Sequence, residues 1–278
     1  MKFFSFIIIL VLAAAFSSCS PSLYFPDRVN APGFTNQGQA FLTASIKPQI
    51  GTNDSMEPKG KGTSFNLDAG YAVSDHIGII ASYRGLNDRG VSEKDWIKLA
   101  DGIGGIFSGK RYEAAVGYFS GKRNGIMADI YGGIGSGYID RTGYYAPQYN
   151  FRTNYMNYFV QGSIGGNWEF VRLSTGLKIA VYDFIRFDAV TPDIRYTIAE
   201  TRDGGRRDVT QQAFTFGTYY MDVQMGYRYV MFDFQQGLSA QLSGGPLKAC
   251  PYYMTLGISL RLDPQFRSNH STNINTNE

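Results

Sequence analysis

The chain has 278 residues, with Lys+Arg 26 against Asp+Glu 23 and a net charge of +3, so it carries no electrostatic footprint for nucleic acid. Two cysteines and two histidines give no disulfide framework and little material for a metal or histidine-dependent site. Its 33 glycines, 20 tyrosines and 20 phenylalanines favour β structure. A mean hydropathy of -0.20 excludes a helical membrane protein, yet fits a barrel in which every second residue faces lipid.

The chain begins with Lys2, an apolar run over 3–15 and small residues leading to Cys19, the pattern of an export signal over 1–18. Phe16-Ser17-Ser18-Cys19 resembles a bacterial lipoprotein processing site, with Phe16 where the common form has Leu. The resemblance implies cleavage before Cys19 and acylation of Cys19, palmitate included. An ordinary signal peptide is the plainer alternative. Cys250 would then be the only unmodified thiol. Residues 19–38 hold three prolines and no periodicity, and read as a lipidated tether. Within it Tyr24 and Phe25 either pack on the barrel's end or are solvated.

From residue 39 the dominant signal is a period of two. It is clearest over 170–182, where Val171, Leu173, Thr175, Leu177, Ile179 and Val181 alternate with Arg172, Ser174, Gly176, Lys178, Ala180 and Tyr182. About a dozen alternating residues exceed the usual soluble strand and suit a tilted bilayer crossing. Before it, strands are expected near 39–49 (weak alternation), 65–73, 77–84, 111–119, 126–133 and 156–164. After it come 219–226, 230–238 and 254–262, ten strands in all. Ser74-Asp75-His76, Asn124-Gly125 and Gly165-Gly166-Asn167 are tight turns, and Asn-Gly is a strong hairpin signal. Connections are long after strands 1, 3, 5, 7 and 9 and short after the others. The main long ones are 85–107, 138–153 and 184–210. A short helix is expected within the first of these, where Ser92 precedes Asp95 in a capping pattern. Residues 263–278 read as a disordered polar tail.

Even strand number and alternating connection length predict a closed, antiparallel, up-and-down transmembrane barrel over 39–262. Tight turns would face the periplasm and long loops the exterior. Both termini and the lipid would then lie on the periplasmic side of a bacterial outer membrane. Tyr71, Tyr83, Tyr112 and Tyr118 are placed for interfacial girdles, although a soluble β-sandwich would also pack them.

In this register the inner wall carries Asp68, Arg84, Glu113, Asp129, Arg172, Lys178, Asp222, Asp233 and Arg261. Such charges must pair, hydrogen-bond or meet water. Mixed signs point to a pairing network that fills the lumen, with a water path or a catalytic cluster as alternatives. Strand glycines such as Gly70, Gly117 and Gly176 leave room for aromatic neighbours. No GxSxG, HExxH, Walker or CxxC motif is present, so no catalytic, cofactor-binding or metal residue is assigned and a non-enzymatic protein is expected.

The whole of 19–262, with the segment YFPDRVNAPGFTNQGQ, resembles small outer-membrane barrel lipoproteins of the Bacteroidota. The resemblance is architectural. It implies a partner, a larger outer-membrane barrel or complex, besides outer-membrane lipid. The expected role is an accessory or scaffold subunit of such a complex. The alternatives are a narrow channel for small or apolar solutes and an outer-loop hydrolase using aspartates such as Asp188 or Asp193.

Overall fold

The computed structural model describes residues 24, 26–48, 61–89, 106–122, 124–142, 150–190, 208–227, 229–244 and 252–264. Period-two stretches become ten strands. These are β1 (Ala40–Pro48), β2 (Lys61–Ala72), β3 (Ile77–Arg89), β4 (Ile106–Gly121), β5 (Gly125–Thr142), β6 (Phe151–Asn167), β7 (Val171–Ala189), β8 (Ala213–Tyr227), β9 (Val230–Ser243) and β10 (Tyr252–Leu262). Every neighbouring pair is antiparallel, and β1 closes the barrel on β10 from Ala40 opposite Leu262 to Ile46 opposite Leu256. The fold class expected from the sequence is therefore the one observed. Closure leaves no open strand edge, the condition for a sheet in hydrocarbon.

Tight turns join β2 to β3, β4 to β5, β6 to β7 and β8 to β9, and together form one mouth of the barrel. Asn124 takes a left-handed φ of 57° in the β4–β5 turn, as an Asn-Gly hairpin requires. The other mouth carries the long connections. There β4 starts at Ile106, β5 runs to Thr142 and β7 to Ala189, so the expected connections are shorter than 85–107, 138–153 and 184–210. The strands continue because their inward residues still find a core: Ile139, Phe151, Tyr155, Phe184 and Phe187 are all buried. The leader, Cys19, the capped helix near Ser92, Cys250 and the tail beyond Pro264 lie outside the described residues.

The barrel is inside-out relative to a water-soluble protein. Its outer face presents Leu, Ile, Val, Met and Phe on every strand, Ile126 and Phe232 being 75% and 71% exposed. A continuous apolar belt of this kind far exceeds the few hundred Å² that soluble monomers leave bare. Aromatic residues bound the belt. Tyr71, Tyr118, Phe170, Tyr227 and Tyr229 are exposed near the short-turn mouth, and Tyr112, Tyr158 and Tyr219 form a second ring with Tyr83. Along β8, Tyr219 and Tyr227 are eight residues apart. At roughly 3.3 Å per residue and a tilt near 40°, that spans about 20 Å, close to the apolar band of an outer-membrane barrel. The chain is a membrane-spanning barrel of the outer-membrane type.

The interior holds one surprise for the sequence reading. Residues 26–38, expected as part of an external tether, run through the lumen. Arg28, Val29, Asn30, Ala31 and Phe34 are buried. Tyr24 stacks on Phe216 with ring centroids 3.7 Å apart and shares hydrogen bonds with Thr218 and Ser239, all nearer the long-connection ends of β8 and β9. Phe34 packs on Phe41 and Phe119, one or two residues from the short-turn ends of β1 and β4. The segment therefore descends from the long-connection mouth to the short-turn mouth and then turns into β1. A tether has no reason to be buried; Asp222 and Asp233, which take their cation from this one, give it a reason.

Candidate functional site

All nine inward charges inferred from the alternation face the lumen. They form two clusters plus a cradle for the threaded segment. In the upper cluster, toward the long connections, Glu113 meets Lys178 Nζ at 2.7 Å and Arg111 Nε at 3.6 Å, and Asn157 donates to Glu113 Oε1 at 2.8 Å. Lys178 also lies 4.0 Å from the centre of the Phe159 ring, a cation–π contact. Arg111 reaches Asp27 of the threaded segment at 3.0 Å and donates to Tyr182 Oη at 2.8 Å.

The second cluster is built around Arg28. Asp68 and Arg84 pair at 2.6 Å, wall to wall. Asp222 and Asp233, by contrast, meet neither Arg172 nor Arg261. Arg28 sits among three carboxylates: its Nε is 2.9 Å from Asp68, its Nη2 is 2.7 Å from Asp233 and 3.4 Å from Asp222, and its Nη1 also bonds Asp233. Gln224 donates to Asp222 at 3.1 Å and to Asp233 at 2.8 Å, and Gln235 donates to Asp222 at 3.1 Å. The nine predicted charges comprise five acids and four bases. Arg111 and Lys47 add further bases on the wall, and Arg28 brings the cation for Asp222 and Asp233 from the threaded segment. Its side chain is 2% exposed, so this is a buried multidentate pair, the geometry in which guanidinium outperforms ammonium.

Arg172 and Arg261 do different work. The threaded segment has no regular hydrogen bonding, so its buried backbone groups need partners from the wall. Arg172 donates to the carbonyls of Pro32 at 2.6 Å and Ala31 at 3.2 Å, and Arg261 to Pro32 at 3.0 Å. Gln161 donates to Asn30 O at 2.5 Å, Arg84 to Arg28 O at 2.8 Å and Lys47 to Pro26 O at 3.0 Å. Gln235 bonds Val29 twice, accepting from its N–H at 2.7 Å and donating to its carbonyl at 2.9 Å. Gly33 has a left-handed φ of 48°, and a Cβ there would collide with the Arg172 guanidinium. Gly70 similarly leaves room for Phe34 and Phe41. Asp129 accepts from Ser163 at 2.7 Å.

Above the charges, Tyr24, Tyr155, Tyr182, Phe184, Phe214 and Phe216 fill the upper lumen, with Val209 of a 3-10 turn (Val209–Gln211) tucked among them. A recess between Tyr24, Asp27, Arg84, Arg111 and Tyr182 has a cavity volume of about 30 Å³. That is room for a water molecule. Asp188, named for an outer-loop hydrolase, forms an exposed 2.7 Å pair with Arg186 on β7. Asp193 lies outside the described residues.

Arg28, Arg111 and Lys47 are functional charges the sequence reading missed. The available signals were the alternation that puts Arg111 on the same face as Glu113, and an arginine in a segment that also carries Tyr24, Val29 and Phe34.

No protein-family model matches the chain, and no curated protein matches it. Solved structures similar to it are outer-membrane proteins. The outer membrane protease OmpT of Escherichia coli is 5% identical, with a TM-score of 0.46, covering 81% of this chain and 94% of that one. The translocator domain of the autotransporter NalP from Neisseria meningitidis is 8% identical at TM-score 0.44, over 94% and 95% of the two chains. Ail of Yersinia pestis is 14% identical at 0.36, over 81% and 100%. These likenesses concern the barrel alone. They correct one expectation: that of a non-enzymatic protein is withdrawn, because similar barrels include a protease.

Proposed function

We propose that the protein is an outer-membrane barrel lipoprotein with a self-sealed lumen, acting as an anchored accessory or scaffold subunit of a larger outer-membrane assembly. The observation that carries this reading is the threaded segment: residues 28–34 occupy the lumen and nearly every luminal charge is spent on holding them or on pairing across the wall. A barrel filled by its own chain leaves two surfaces for work, the apolar belt and the long connections. In the standard orientation the short turns face the periplasm and the long connections face outward, where loops carry recognition. Acylation of Cys19 supplies the second hold on lipid.

The sealed lumen disfavours the narrow-channel alternative, and conductance tests the choice. In planar bilayers the native protein is expected to be silent, whereas the double variant Arg28→Ala, Arg172→Ala is expected to open intermittently. Steady conductance by the native protein overturns the sealed-lumen reading. For the assembly, mild extraction from native membranes should yield a species of defined stoichiometry well above the 30.9 kDa chain on native gels. Recovery solely as the free chain, under several mild detergents, overturns the subunit reading.

A further inference from the structure

The direction of the threaded segment has a consequence for the chain before it. Tyr24 lies at the long-connection end of the lumen: Thr218 is five residues from the start of β8 and nine from its short-turn end, and Ser239 is four from the end of β9 and nine from its start. The recess beside Tyr24 is lined by Leu86, Lys110 and Tyr138, again close to the long-connection ends of β3, β4 and β5. Arg28 then meets Asp68, Asp222 and Asp233 lower down, Pro32 meets Arg172 near the start of β7, and Phe34 meets Phe119 near the end of β4. The order along the segment is the order down the barrel. Entering β1 at the short-turn mouth, the chain has already crossed the membrane once inside the lumen.

We infer that the chain upstream of Tyr24 leaves through the long-connection mouth, so that the N-terminal end of the mature protein is displayed on the outer surface of the cell. This rests on the orientation and the Cys19 acylation read above, and it replaces the periplasmic placement of the anchor expected from the sequence. Covalent reach supports it. Cys19 is five residues upstream of Tyr24. Five residues extend at most about 18 Å. The nine residues of β8 from Thr218 to Tyr227, tilted, descend about 23 Å. The route back is also occupied, by the segment itself and by the buried rings of Tyr24, Tyr182 and Phe216. Acyl chains on Cys19 would thus enter the outer leaflet from outside. The partner chemistry at this end is the lipid of the cell's outer surface.

The test is epitope accessibility in the full-length protein in its own outer membrane. One epitope is inserted between Ser20 and Pro21, a second within 191–207, and a third beside Asp75 in the β2–β3 turn. Folding is checked by heat-dependent mobility. The expected result is that antibody reaches the first two on intact cells and the third only after permeabilisation. If the 191–207 epitope is reached on intact cells and the N-terminal one only after permeabilisation, the threading direction is wrong while the orientation stands. If the Asp75 epitope is exposed and the 191–207 epitope hidden, the orientation fails and the outer-surface placement fails with it. Where an insertion prevents folding, Ser22→Cys on a Cys250→Ser background, labelled with a membrane-impermeant maleimide, makes the same distinction. Mass analysis of the N-terminal peptide is the separate check: an unacylated Cys19 overturns the lipidation reading alone.

Discussion

The two charge clusters of the lumen are built from the same residue types but on different strands, the first on β4, β6 and β7 and the second on β2, β3, β8 and β9, and they depend on different parts of the chain. Glu113 and Lys178 pair wall to wall, and Asn157 and Arg111 complete the site. Asp222 and Asp233 accept from Gln224 and Gln235 on the wall but take their cation from Arg28, which belongs to a segment with no strand or helix. The first cluster can form as soon as the sheet closes. The second requires the threaded segment, so the lower half of the barrel and its plug fold as one unit. Removing one partner from a buried charge pair leaves an uncompensated charge, which is why the two clusters should respond unequally to truncation.

The largest effect is expected for Arg28→Ala. It leaves Asp222 and Asp233 without their cation, while Asp68 keeps Arg84, and should cost about 3–5 kcal/mol, seen as a markedly lower temperature for the loss of heat-dependent gel mobility. Adding Asp222→Asn should recover part of that loss, because one of the stranded charges is gone; strict additivity in the double-mutant cycle would break the assignment. On the outer face, Leu173→Arg, opposite Val223 midway between Tyr219 and Tyr227, should destabilise insertion by about 2–4 kcal/mol, measured by urea titration in lipid vesicles. A negligible effect would mean that this face does not meet hydrocarbon. In the wall-to-wall cluster, Lys178→Ala should cost less than Arg28→Ala, about 1–3 kcal/mol, since Glu113 keeps Asn157 and Arg111. An equal or larger loss than at Arg28 would reverse the comparison. The smallest effect is expected for Asp188→Asn, whose partner Arg186 is exposed, at roughly 0–1 kcal/mol in the same titration.

The wall was legible in the sequence because alternation is a local property. Val171 to Val181 outside and Arg172 to Tyr182 inside follow from a period of two without knowledge of any partner, and the same logic placed Asp68, Glu113 and Asp233 on the inner face. Long and short connections gave strand order and closure. Pairing was not legible, since Arg28 and Asp233 are 205 residues apart and nothing periodic marks the segment that carries the arginine. A proline-rich stretch without periodicity satisfies its backbone through side chains supplied elsewhere, here Gln161, Arg172, Gln235 and Arg261, and so resembles a solvated linker. Strand ends were misplaced for a related reason. Tyr155, Phe184 and Phe187 extend the inner core above the belt, where tyrosine-rich sequence reads as loop.

The account turns on whether residues 26–38 fill the lumen or hang outside it. Ala31→Cys, on a Cys250→Ser background, tests this directly, because Ala31 is small, 3% exposed and at the middle of the segment. The folded, unboiled protein in lipid should resist maleimide labelling at position 31 beyond that of the parent lacking the substitution, and should label fully after boiling. Prompt labelling of the folded barrel would place the segment in solvent and contradict the self-sealed lumen.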